Sequence, residues 1–151
     1  MAPLDPKDYA GKPRDTVIEN RLAAELRAQE PEAVFAFIWE LLGSDVVLAL
    51  ALAPRVLRKQ SYFEQILRRG LEVADASSIQ LWIRTCLPRL GADKMLSIFR
   101  DVATRNPRAG ETAMYYMRIL LLKEKPALRN SLEALADQIG GLAKDPRRGP
   151  P

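Results

Sequence analysis

Apolar positions recur at intervals of three and four residues along nearly the whole chain. That spacing gathers them onto one face of an α-helix. Val17, Ile18, Leu22 and Leu26 make a thin stripe that predicts a surface helix over residues 16–29, with Thr16 and Glu19 as a capping box. Pro31 suits the first turn of a second helix. There Val34, Phe35, Phe37, Ile38, Trp39, Leu41 and Leu42 are apolar nearly all round, which predicts burial on most sides, Phe35 and Trp39 included. Gly43-Ser44 is expected to end it and cap a third helix over 45–59. Pro54 inside that helix frees the Leu50 carbonyl and predicts a kink or a break.

The remaining pattern predicts five more helices. Ser61 and Glu64 form a second capping box for one that runs to about residue 74. Others cover about 78–90, ended by Gly91, and about 93–104, closed by Asn106-Pro107. A seventh covers about 111–123, and an eighth begins at Pro126 and stops at Gly140-Gly141. No segment has the two-residue period of a strand, and no Asn-Gly or Asp-Gly hairpin turn occurs. The class is all-α.

An echo runs through this pattern. Pro54-Arg55 returns as Pro88-Arg89, 34 residues later, and the same step from Arg89 reaches Lys123. Arg84 and Arg118 keep it too. A fixed period of this size predicts antiparallel helix pairs stacked as a short right-handed α-α superhelix, with a compact helical bundle as the alternative. The offsets of a tetratricopeptide repeat are not kept. Prolines within helices and arginines at matched places resemble HEAT and armadillo-type α-solenoids over about residues 31–139. The resemblance is architectural and carries over no functional residue. Residues 1–14, with three prolines, are expected to be a flexible arm. Residues 15–140 form one helical-repeat domain, and the Pro/Gly/Arg-rich residues 141–151 form a flexible tail.

Composition narrows the chemistry. There is no histidine, which excludes Ser-His-Asp and Cys-His catalysis and histidine-ligated metals. Cys86 is the single cysteine, so no Cys-rich zinc site or iron–sulfur cluster forms within the chain. It sits among Ile83, Leu87 and Leu90, as a small buried hydrophobe would. The longest apolar run, residues 46–54, is far short of the ~20 residues that span a bilayer. The first residues lack the basic and apolar regions of a secretory leader. A cytoplasmic protein without membrane attachment is expected.

The net charge of +4 is unevenly spread. Residues 1–45 carry nine acids and five bases, whereas residues 46–129 carry fifteen bases and seven acids. The candidate contacts are therefore cations: Arg55, Arg89 and Lys123 as a ladder, with Arg84 and Arg118 beside aromatic residues. The ladder also sits toward helix C-termini, where cations complement the dipole by about 0.3–1 kcal/mol each. Arg58-Lys59 and Arg68-Arg69, with Arg100, Arg105 and Arg108, extend the positive character. No base-stacking aromatic platform accompanies them. Neither a convergent carboxylate cluster nor a phosphate loop appears, so no enzyme activity, catalytic residue, metal or cofactor is expected. The expected function is a protein-interaction module presenting a basic helical surface. The alternatives are sequence-independent binding to a nucleic-acid backbone and a homo-oligomer that pairs through the second helix.

Overall fold

The computed structural model describes residues 4–143. Its helices are α1 (Thr16–Arg27), α2 (Pro31–Leu42), α3 (Val46–Val56), α4 (Gln60–Val73), α5 (Ile79–Leu90), α6 (Ala92–Arg105), α7 (Pro107–Glu124) and α8 (Arg129–Ala143). Single 3-10 turns occur at Pro6–Asp8 and Pro126–Leu128, and no strand occurs among the described residues. The all-α class holds. The chain divides into two compact units, Met1–Tyr62 and Phe63–Pro151, with the boundary in the first turn of α4.

In the first unit α3 packs against α1 and α2. Leu22 and Leu26 of α1, Ile38 and Leu41 of α2 and Leu52 of α3 are fully buried. Aspartates, not the hydroxyl residues beside them, start α1 and α3. Asp15 accepts from the Val17 and Ile18 amides at 2.9 and 3.3 Å, so Thr16 is already inside α1. Asp45 accepts from Leu48 at 3.2 Å, which displaces Ser44 as the cap of α3. A carboxylate adds charge to the capping bond, and the helix dipole favours it over a neighbouring hydroxyl. Pro54 neither breaks nor restarts α3. It lies in the last turn, and the helix ends two residues later, with Leu57 extended. Residues 4–14, expected as a loose arm, carry the first 3-10 turn against α2, with Pro6 buried. The Tyr9 ring meets Phe37 edge-on at 6.1 Å, and the Gly11 amide donates to Asp45 at 3.0 Å.

In the second unit α5 packs against α6 and α7, α6 against α7 and α8, and α7 against α8. α4 joins them through the Trp82 ring under Gly70 and the Cys86 thiol, 3.6 Å from the Phe63 carbonyl. Ion pairs tie alternate helices, with Glu64 to Lys94 at 2.7 Å and Arg68 to Asp101 at 2.6 Å. Glu64 is thus spent on Lys94, and α4 begins one residue before Ser61, so no capping box forms there. Asn106-Pro107 opens α7 as well as closing α6: the Asn106 side chain accepts from Ala109, and Pro107 fills the first turn, where its missing N–H costs nothing. α7 therefore starts four residues earlier than the pattern alone predicts. Gly140 and Gly141 do not stop α8, which continues to Ala143. The rest of the 141–151 tail lies outside the described residues.

Burial recurs at fixed steps. Ala49, Ile83 and Met117 are each 34 apart and buried, as are Leu52, Cys86 and Leu120, and Ala53, Leu87 and Leu121. The alternate helices match as well. Val34, Phe37, Ile38, Leu41 and Leu42 of α2 correspond to Phe63, Ile66, Leu67, Gly70 and Leu71 of α4, 29 residues on. A further 32 residues lead to Met95, Ile98, Phe99, Val102 and Ala103 of α6, and all fifteen positions are buried. The two steps differ by three residues, which the loops absorb.

Candidate functional site

The five cations singled out from the sequence divide into two groups. Arg55 is committed inside the first unit: its guanidinium donates to Asn20 at 2.9 Å, and its own carbonyl accepts from the Arg27 side chain at 3.0 Å. Arg89 stands 5.3 Å over the Phe63 ring in the second unit. Arg84, Arg118 and Lys123 are exposed and make no hydrogen bond or ion pair with other described residues. The structure brings Arg84 and Arg118 onto two helices, α5 and α7, that pack side by side.

What lies next to those arginines was not evident from charge alone. Leu81 on α5 is 39% exposed, and on α7 Tyr115 and Ile119 are 66% and 47% exposed. On α7, Tyr115, Arg118, Ile119 and Leu122 fall at three- and four-residue spacing, which is one face of a helix. On α5 the corresponding face carries Leu81, Arg84, Thr85 and Pro88. The two sets match at the 34-residue step, with Leu81 against Tyr115 and Arg84 against Arg118. The same step back from Leu81 reaches Val47 of α3, itself 48% exposed. The step alone does not single out Leu81 and Tyr115 in the sequence, because buried apolar positions keep it too.

Many of the other bases are neutralised. Asp101 takes both Arg68 at 2.6 Å and Arg105 at 2.8 Å, and Lys125 reaches Asp93 at 2.7 Å. The Asp101 carboxyl is held below its ordinary range, chiefly by the hydrogen bond from Arg68. No group of three or more metal-ligating side chains gathers among the described residues. Cys86 is fully buried, and loss of hydration pushes its thiol up to about 12, so the reactive thiolate is suppressed.

Phe35 and Trp39 are not the deep core that the α2 pattern implied. Phe35 is half-buried and Trp39 is 36% exposed. Phe35 stacks on Tyr62, with ring centres 4.4 Å apart, and lies 5.5 Å from Trp39. The true inward face of α2 is Val34, Phe37, Ile38, Leu41 and Leu42.

Two cavities open in the first unit. One, of about 350 Å³, is lined by both signs of charge, including Asp8, Asp15, Glu25, Arg14 and Arg21. Burial raises the Tyr9 hydroxyl there, with Glu25 and Asp8 adding to the effect. The other, of about 400 Å³, carries Arg27, Arg58 and Lys59 in its lining and no carboxylate among the described residues. No helix among the described residues is long and apolar enough to cross a membrane. No protein-family model matches the chain, and neither the curated proteins nor the solved structures compared with it contain a significant match.

Proposed function

We propose that the protein is a short helical-repeat scaffold, cytoplasmic and without catalytic role, that binds another protein through the exposed face of α5 and α7. One observation carries the reading. Exposed apolar side chains (Leu81, Tyr115, Ile119) alternate with cations that have no partner among the described residues (Arg84, Arg118) on two adjacent helices. Isolated exposed hydrophobes are ordinary on any surface. Their alignment at one register on neighbouring helices is not, and aromatic residues with arginine are the side chains that interfaces concentrate. The burial recurring at 34 residues supports the repeat architecture, in the manner of the HEAT-type solenoids that the sequence resembles. The complementary partner is an amphipathic segment with acidic residues beside apolar ones.

The nucleic-acid alternative draws less support. Arg55, Arg68, Arg105, Lys94 and Lys125 are held by neighbours within the chain, which thins the cationic field a phosphate backbone would need.

A displayed library of helical peptides, selected on the whole protein, tests the proposal. Binders enriched in acidic and apolar residues at helical spacing should lose binding to a Tyr115→Ser/Arg118→Glu variant and keep it to Arg108→Glu. Equal binding to both variants would reject the α5/α7 face.

A further inference from the structure

The first unit holds a second candidate site, independent of the α5/α7 face. Between the end of α1, the start of α2 and the extended segment after α3 lies the cavity of about 400 Å³, within the common range of small-molecule pockets, roughly 300–1,000 Å³. Its lining combines three cations, Arg27, Arg58 and Lys59, with Gln29, Tyr62 and the buried Val34. No acid among the described residues lines it. The contrast with the other cavity of the same unit is direct, since five acids face three bases there.

The cations are not consumed elsewhere. The Arg27 Nε donates to the Arg55 carbonyl at 3.0 Å, which fixes the plane of the guanidinium. Its two terminal amino groups make no further bond among the described residues. Arg58 makes no hydrogen bond or ion pair among those residues. Lys59 has only a ring contact, its ammonium 5.6 Å from the centre of Tyr62. Tyr62 is itself held by its stack on Phe35, and its hydroxyl has no partner among the described residues. Three like charges around one cavity repel, and no carboxylate of the lining relieves them. A ligand with two or more negative charges does. A single carboxylate would offset one of the three, whereas phosphate groups match both the charge and the fork of an arginine.

We propose that this cavity binds a small organic phosphate. The phosphates meet Arg27, Arg58 and Lys59, and the organic part rests on Val34 and Tyr62. Binding is driven by charge neutralisation at a preformed cluster, with the fixed Arg27 guanidinium supplying two parallel donors.

Isothermal titration calorimetry on the full chain at low salt tests this with four probes: a nucleoside diphosphate, inorganic pyrophosphate, the nucleoside alone and a 20-nucleotide single strand. One-to-one binding of the diphosphate, competed by pyrophosphate and absent for the nucleoside, is the expected result. Arg58→Glu/Lys59→Glu should weaken it by at least about tenfold, since each charged hydrogen bond is worth about that factor or more. Arg27→Lys keeps the charge and loses the fork, and should weaken binding by a smaller factor with the fold least disturbed. Arg108→Glu, in the second unit, should leave it unchanged. No saturable binding, or equal weakening in Arg108→Glu, would overturn the site. Binding of the single strand without competition by pyrophosphate would instead assign the cations to a nucleic-acid surface, and equal affinity for the nucleoside would assign the cavity to apolar ligands.

Discussion

Gly70 lies directly against the indole of Trp82: a Cβ at position 70 would stand 2.5 Å from two atoms of the ring. Trp82 is 1% exposed, so the ring has no room to retreat. α4 and α5 approach closely here because residue 70 has no side chain. Its place in the buried register of α4, where α2 has Leu41 and α6 has Val102, marks it as a gap that the indole fills.

Gly70→Ala should therefore destabilise the protein. Helix propensity alone would favour alanine by about 1 kcal/mol. Overpacking against a fixed ring costs about 1–3 kcal/mol and wins. Gly140 gives the opposite sign, because it also lies inside a helix but a Cβ there would meet nothing within 4 Å. Gly140→Ala should raise stability by up to about 1 kcal/mol. Thermal unfolding of the two variants beside the parent checks both, at about 2–4 °C per kcal/mol for a chain of this size. A rise in melting temperature for Gly70→Ala would mean that the indole moves freely.

Cys86 should behave as a sealed thiol. It is fully buried between α4 and α5, with its sulfur 3.6 Å from the Phe63 carbonyl, and its ionisation is pushed up to about 12. An aromatic disulfide reagent at pH 8 should label the native protein only as fast as the second unit opens, and the denatured protein at once. Rapid labelling of the native protein would show that the α4–α5 contact opens readily.

Asp45 holds two segments at once. One oxygen caps α3 through Leu48 and the other accepts from Gly11, 34 residues earlier. Asp45→Ala should cost about 1–2 kcal/mol from the lost cap. It should also speed hydrogen exchange at the Gly11 amide, whose other surroundings are exposed. Asp45→Asn keeps an oxygen for the cap and should recover most of the stability. Exchange measured by NMR at Gly11 separates the two roles, and an unchanged rate in Asp45→Ala would show that the amide is protected by something else.

The helices were legible because burial repeats every three to four residues, and the eight apolar stripes needed no tertiary information. Their ends were less so. Thr16 and Asp15 are both good caps on adjacent positions, and only the fold decides between them. Proline at 107 reads equally as a stop and as a start. Phe35 and Trp39 looked like core because an all-round apolar helix does not reveal which side faces inward. The cations Arg84 and Arg118 were found through the 34-residue step, whereas Leu81 and Tyr115 were hidden among many apolar residues. The cavity of Arg27, Arg58 and Lys59 was not legible as a set, because Arg27 ends α1, 31 residues before Arg58-Lys59, and only packing brings the two segments together.

Glu19 sets the acid response of the first unit. It is the one charged residue counted as buried among the described residues, and Arg14 holds it by two bonds of 2.6 and 2.8 Å. The Arg14 hydrogen bond lowers the Glu19 carboxyl from its ordinary value of 4.5, more than burial raises it. A carboxyl that is more acidic folded than unfolded binds fewer protons in the native state, so stability rises with pH across that interval. The contribution is complete above about pH 5 and is lost as the pH falls through 4.5 and then through the lower folded value. Glu19→Gln should accordingly melt lower than the parent at pH 7, and the gap should narrow steadily below about pH 4.5. Because Arg14 is largely exposed, salt should shrink the gap at pH 7 as well. A gap that stays constant from pH 7 down to about pH 2 would show that Glu19 acts through its shape in the α1 packing and not through its charge.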